Sequence, residues 1–188
     1  ISVGSGTVSL TSTAGGVGLY SNAIQTSNAT ANAVSISAGN GNITDLSNAN
    51  NIASTANIRP TGANAGVTLS ASGSIGDTGT GRIDIATTDS TTVSAASTTS
   101  AKSIYLNAIG SVNLGTTSAP SGTFSLDAAG TVTQSGALTA GILQATLSSG
   151  ALNLGTQTNA VSQIGVPDTS LPYNQGITAP GGFSLTNG

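Results

Sequence analysis

Short apolar pairs of the form φ-x-φ recur along this chain every 15 to 21 residues, and little else in it could drive folding. They open at Ile1, Val17, Val34, Ile52, Val67, Ile83, Ile104, Phe124, Leu143, Ile164 and Phe183. Of the eleven residues two places later, running from Val3 and Leu19 to Val166 and Leu185, only Ser54 is polar. The column between them, which includes Ser2, Asp84, Tyr105 and Ser184, holds no Val, Ile, Leu or Phe. Alternation at period two inside a longer repeat describes one β-strand returning once per turn of a solenoid. The expected fold class is therefore all-β, a parallel β-helix of about ten coils of 15–21 residues. Parallel strands need crossover connections, and these are overwhelmingly right-handed. Ten intervals at a rung spacing of roughly 4.8 Å predict a rod about 48 Å long.

Composition supports a thin core. Ser and Thr number 57, Gly 26 and Asn 16 of 188 residues, just over half the chain. Such polarity is common in disordered chains, but those carry high charge and few β-branched residues. Here nine residues are charged, and Val, Ile and Leu recur in phase. Stacked coils bury a narrow stripe repeatedly and need no thick globular core. The pattern reads as one β-helical segment over 1–188, cut from a longer chain, with an irregular coil at 164–182 carrying Pro167, Pro172 and Pro180.

Within a coil a second apolar anchor follows the first strand: Val8, Ile43, Ile75, Val112, Val132 and Leu152. A third is visible at Leu46, Leu138 and Ile177. The best-preserved form, φ-x-φ-x-A-x-G-x-φ, reads VTLSASGSI from Val67, IYLNAIGSV from Ile104 and FSLDAAGTV from Phe124. Its Gly is expected to permit a corner by taking positive φ. The first five intervals span 15–18 residues and the last five 19–21, which predicts longer corners in the later coils.

Candidate chemistry is sparse. The carboxylates are Asp45, Asp77, Asp84, Asp89, Asp127 and Asp168, and the cations are Arg59, Arg82 and Lys102, with no His, Cys or Glu. Counted from each coil start, only Asp45 and Asp77 share a corner, and they fall two coils apart. No basic column joins the acids. The expectation is no enzyme, with no catalytic residue, no cofactor site and no metal site, since catalysis needs convergent titratable groups. The net charge of −3 argues against nucleic acid, and no apolar run of the length a bilayer requires is present. Phe124 and Phe183 read as core, and Tyr105 as an outward residue. Four Thr-x-Thr pairs, at Thr11/Thr13, Thr78/Thr80, Thr131/Thr133 and Thr156/Thr158, do not recur once per coil as an ice-binding face would require. Asn28 and Asn42 open N-x-Thr sequons, in a chain where such matches arise readily by chance.

The stretch from Gly130 to Gly165 carries G-x-φ-x-Q-x-G-x-L, then L-x-x-x-x-x-x-G-A-φ-x-L, then N-x-V-x-x-φ-G. It resembles the shaft repeats of filamentous-haemagglutinin-like exoproteins, the adhesins of two-partner secretion. The resemblance is strongest from Ile104 to Gly165. It implies an extracellular or bacterial cell-surface location and a structural role: a shaft or spacer that presents other domains. Expected partners are neighbouring β-helical coils of the same or identical chains, with any cell-surface receptor engaged through other regions. The alternatives are a self-assembling extracellular fibre subunit and an ice-binding β-solenoid.

Overall fold

The computed structural model describes residues 1–47, 53–165 and 176–188. Seventeen strands and one short 3₁₀ turn, Gly79–Gly81, make up its regular structure. The strands are β1 (Ser2–Val3), β2 (Val8–Ser12), β3 (Val17–Leu19), β4 (Ile24–Thr26), β5 (Val34–Ala38), β6 (Ile43–Asp45), β7 (Ile58–Pro60) and β8 (Gly66–Ala71). They continue as β9 (Ile83–Ile85), β10 (Thr92–Ser97), β11 (Ile104–Ala108), β12 (Val112–Ala128) and β13 (Val132–Gln134). The last are β14 (Leu138–Leu147), β15 (Leu152–Ile164), β16 (Ile177–Thr178) and β17 (Phe183–Asn187).

Every pairing between these strands is parallel, and the chain winds as a β-solenoid of about seven turns. Three ladders of apolar residues run along it. One stacks Val8, Val34, Val67, Val93 and Leu114, then continues from Val112 through Val132 and Leu152 to Phe183. A second stacks Val17, Ile43, Ile75, Ile104, Phe124, Leu143 and Ile164. A third stacks Ile24, Ile58, Ile85, Ala108, Ala128 and Leu147. All of them but Ile164 and Phe183 belong to one continuous buried cluster. At about 4.8 Å per rung, seven turns give a stack roughly 34 Å long.

The count of about ten coils is thus too high, and the reason is instructive. In the first half the recurring pairs alternate between ladders. Val17 stacks on Ile43, whereas Val34 stacks on Val8 and Val67. The true first-half repeats are long: Val8 to Val34 is 26 residues, Val34 to Val67 is 33 and Val67 to Val93 is 26. From Ile104 to Ile164 the expected series holds, as Phe124, Leu143 and Ile164 follow in one ladder, but Phe183 leaves it and stacks on Leu152 of the first ladder. The coils from Val112 to Leu152 are therefore the shorter ones, about 20 residues each, and over that stretch the expectation of longer later corners is reversed; Leu152 to Phe183 again spans 31. Ile52 and the prolines Pro167 and Pro172 lie outside the described residues; Ile58 holds the core position in that coil.

The nine-residue motif encodes a strand, a corner and a strand, but not which corner. From Val67 it leads out of the first ladder to Ile75 of the second, while from Ile104 it leads from the second to Val112 of the first. Its Gly is needed for close approach rather than for positive φ. A Cβ on Gly110 would lie 2.5 Å from the Thr87 carbonyl oxygen, and one on Gly73 would collide with the Asn42 side chain.

Alternation within β11 is as expected: Ile104 and Leu106 are buried and Tyr105 between them is partly exposed. Four apolar anchors are not core, Ile1 being 62% exposed. Phe183 is 41% exposed and Ile164 47%, because each pairs with a coil on one side only among the described residues. Leu46, 48% exposed, lies instead across the outside of Gly18, where a Cβ would meet its Cδ1.

Candidate functional site

The largest concentration of polar chemistry lies on one lateral face, where ladder register brings distant residues together. Ile58 pairs with Ile85, which sets Asn57 beside Asp84; Asp84 pairs with Asn107, and Asn107 with Asp127. All four occupy positions that alternate away from the core. Yet Asn57 is fully buried, Asp84 is 3% exposed and Asn107 6%. Burial is tolerated because the column is internally bonded. The Asp84 backbone N–H donates to Asn57 Oδ1 at 2.8 Å, and Asn107 Nδ2 donates to Asp84 Oδ1 at 2.7 Å. Asn57 Nδ2 donates onward to Asp45 Oδ1 at 2.8 Å. An amide both donates and accepts while a carboxylate only accepts, so Asn57 can take the Asp84 backbone N–H while donating to Asp45, and Asn107 donates to the Asp84 carboxylate.

Arg82 covers this face. Its Nε lies 2.9 Å from Asp127 Oδ2, and Nη1 donates to the carbonyls of Leu106 at 3.2 Å and Ser125 at 3.0 Å. Nη2 donates to Ser125 Oγ at 2.9 Å, and the guanidinium carbon sits 5.9 Å from the centre of the Tyr105 ring, within cation–π reach. Burial lowers the Arg82 pKa, an effect opposed by the charges of Asp127 and its neighbours. Burial likewise pushes the Asp127 carboxyl up, with Arg82 pulling it back only in part. Most of the guanidinium donors are spent on the protein's own wall. The group is built as a brace.

Coil-by-coil counting separated Arg82 from the acids, and that expectation is corrected here. Register pairs Ile83 with Leu106, two residues away from the assumed Ile104. With that shift, the Asp of IDI falls in line with the Asn of LNA and the Asp of LDA, so the signal was present in the sequence. Asp45 and Asp77 also lie closer than counted: Ile43 stacks directly on Ile75, placing them on adjacent coils. They line a groove of about 370 Å³ with Thr44, Leu46, Gly76 and Thr80. Asp45 Oδ1 accepts the Ser47 N–H at 2.7 Å, and Asp77 Oδ1 accepts the Thr78 N–H at 2.7 Å. Among the described residues no three acidic, His or Cys groups gather where a metal ion could be held.

The remaining candidates stay dispersed. Asp89 and Lys102 are exposed, Arg59 reaches Asn22 Oδ1 at 3.3 Å, and Asp168 lies outside the described residues. Phe124 is core. The Asn28 side chain is buried and engaged, donating to Thr7 Oγ1 and accepting the Thr30 N–H, whereas Asn42 is exposed and accepts the Ser74 N–H. The Thr-x-Thr pairs do not form one column. A different array does stack in register, Ser9/Thr11 on Ser35/Ser37 on Thr68/Ser70, and it breaks at Ala96 on the next rung. No helix among the described residues is long and apolar enough to cross a membrane.

Compared with protein-family models, with curated proteins and with solved structures, the chain gives no match.

Proposed function

We propose that this chain is a shaft segment of a secreted bacterial surface adhesin or filament, a stiff spacer that holds other domains away from the cell. The observation that carries the reading is the stack of parallel coils. Three apolar ladders run through successive coils, so that rigidity along the axis comes from continuous parallel pairing. Two further points support it. The densest polar cluster is committed to bracing the coils, and the motifs from Gly130 to Gly165 resemble haemagglutinin-type shaft repeats.

Negative-stain imaging with mass measurement tests the reading directly. Short unbranched rods of single-chain mass are expected, and filaments growing with concentration would favour the fibre-subunit alternative. Incubation with polysaccharides should release no reducing or unsaturated ends. Turnover that is abolished by replacing one Asp would overturn a purely structural role.

A further inference from the structure

The solenoid changes gauge between its fourth and fifth coils, and the core there is imperfect. Upstream repeats span 26–33 residues, and those from Val112 to Leu152 about 20. The β10–β12 pairing carries a register shift between Val93 and Ala95, and β7 meets β9 through Ile58–Ile85. A small apolar void of about 10 Å³ lies among Ile85, Val93, Leu106, Ala108 and Leu114. Beside it the Thr87 hydroxyl is buried without a partner, next to the Gly110 corner. Each feature weakens stacking between neighbours, because a void forfeits contacts and an orphaned hydroxyl bears its desolvation cost.

Arg82 crosses this same junction on the outside. It belongs to a wide coil, and its bonds end on Leu106 of the next coil and on Ser125 and Asp127 of the one after. We infer that Arg82 is a strap coupling the wide coils to the narrow ones, so that the solenoid unfolds as one unit despite a weak internal interface. In a linear array of repeats, cooperativity is set by nearest-neighbour coupling, and the array separates where that coupling is weakest. A guanidinium that spans three coils supplies coupling beyond the nearest neighbour, where the core supplies least. The narrow section, held by the long ladders of β12, β14 and β15, is the part that persists once the strap is cut.

The test is hydrogen exchange and calorimetry on the full chain with Arg82→Met, which retains an apolar stem against Tyr105. The parent should melt in one transition, with β8 and β14 amides equally protected. In Arg82→Met the transition should split in two, and β8 amides should exchange at least tenfold faster than β14 amides. Arg59→Met removes a wide-coil arginine that touches only Asn22 among the described bonds, and it should split nothing. A single transition with equal protection in Arg82→Met, or two transitions already in the parent, would overturn the strap. Should Arg82→Met not fold, Arg82→Lys decides. It keeps a charge for Asp127 but loses the fork that reaches both carbonyls, so a smaller split is expected and parental behaviour refutes the inference.

Discussion

The wide coils from Val8 to Val93 and the narrow coils from Val112 to Leu152 bury the same kind of stripe and close it differently. In the wide section strands of three to six residues are joined by polar corners that vary freely in length. In the narrow section β12, β14 and β15 run for 17, 10 and 13 residues, extended across the bends. Register shifts fall there, as between Ala119 and Thr123 of β12 and between Leu154 and Asn159 of β15. The stacking rung demands only that each ladder receive an apolar residue in register. What lies between rungs faces water, and lengthening a flexible loop costs little: each doubling adds about 0.6 kcal/mol. Wide and narrow coils can therefore share one core.

The largest effect is expected where the two sections meet. Leu106 packs between Ile83 of a wide coil and Leu126 of a narrow one. Leu106→Asp loses the burial of a Leu side chain and gains a buried carboxylate, together at least about 3 kcal/mol. Thermal unfolding followed by circular dichroism should show the variant largely unfolded at room temperature or melting far below the parent. Tyr105→Asp should cost about 1 kcal/mol or less, since its side chain lies on the outer face, where the charge of Arg82 is at hand. If Tyr105→Asp is the more damaging, the faces are assigned the wrong way round and the shared core is refuted.

A smaller effect separates corner from corner. Thr98 to Lys102 form an exposed wide-coil corner, and Pro120 to Gly122 lie beside it on the next coil, accepting the Ala101 N–H. Inserting Gly-Ser after Ser100 should cost about 0.6 kcal/mol or less in urea unfolding. The same insertion after Ser121 interrupts β12 where it packs closely: a Cβ on Gly122 would lie 2.0 Å from the Lys102 carbonyl oxygen. Displacing that close contact and the Ala101–Pro120 bond should cost about 2 kcal/mol. Equal costs would show that corner slack is not what distinguishes the sections.

The same difference explains what could be read from the sequence. From Ile104 to Ile164 near-constant coil length makes sequence period equal to structural period, and Ile104, Phe124, Leu143 and Ile164 fall in one ladder as the period implies. In the wide section period and register part company, because polar corners of Ser, Thr and Asn carry no mark of which ladder comes next. Val17 then passes for the successor of Ile1, and Ile58, flanked by polar residues, goes unnoticed. The polar brace was missed for the same reason. Its residues are legible as IDI, LNA and LDA only after a two-residue shift that no local feature announces. Alternation of faces was legible throughout, but the burial of Asp84 was not, because covering it depends on Arg82 arriving from the preceding corner.

The smallest effect concerns protons at this brace. Asp127 sits in the first narrow coils with its pKa raised from the ordinary 3.8, chiefly by burial and despite its 2.9 Å contact with Arg82. In the window between the ordinary value and the raised one, the folded chain binds a proton that the unfolded chain does not. Stability contributed by this group therefore rises as pH falls through that window, the reverse of a carboxylate held down by its ion pair. The guanidinium keeps its proton throughout this range. Because other carboxylates titrate nearby, the readout is the difference between the parent and Asp127→Asn. As pH falls from 7 toward the ordinary carboxylate range, the parent should gain in melting temperature relative to the variant. A parent that instead loses ground on acidification would mean that attraction to Arg82 outweighs burial. The junction would then be held by an ordinary surface ion pair, screened by salt, and not by a brace sunk into the wall of the coil.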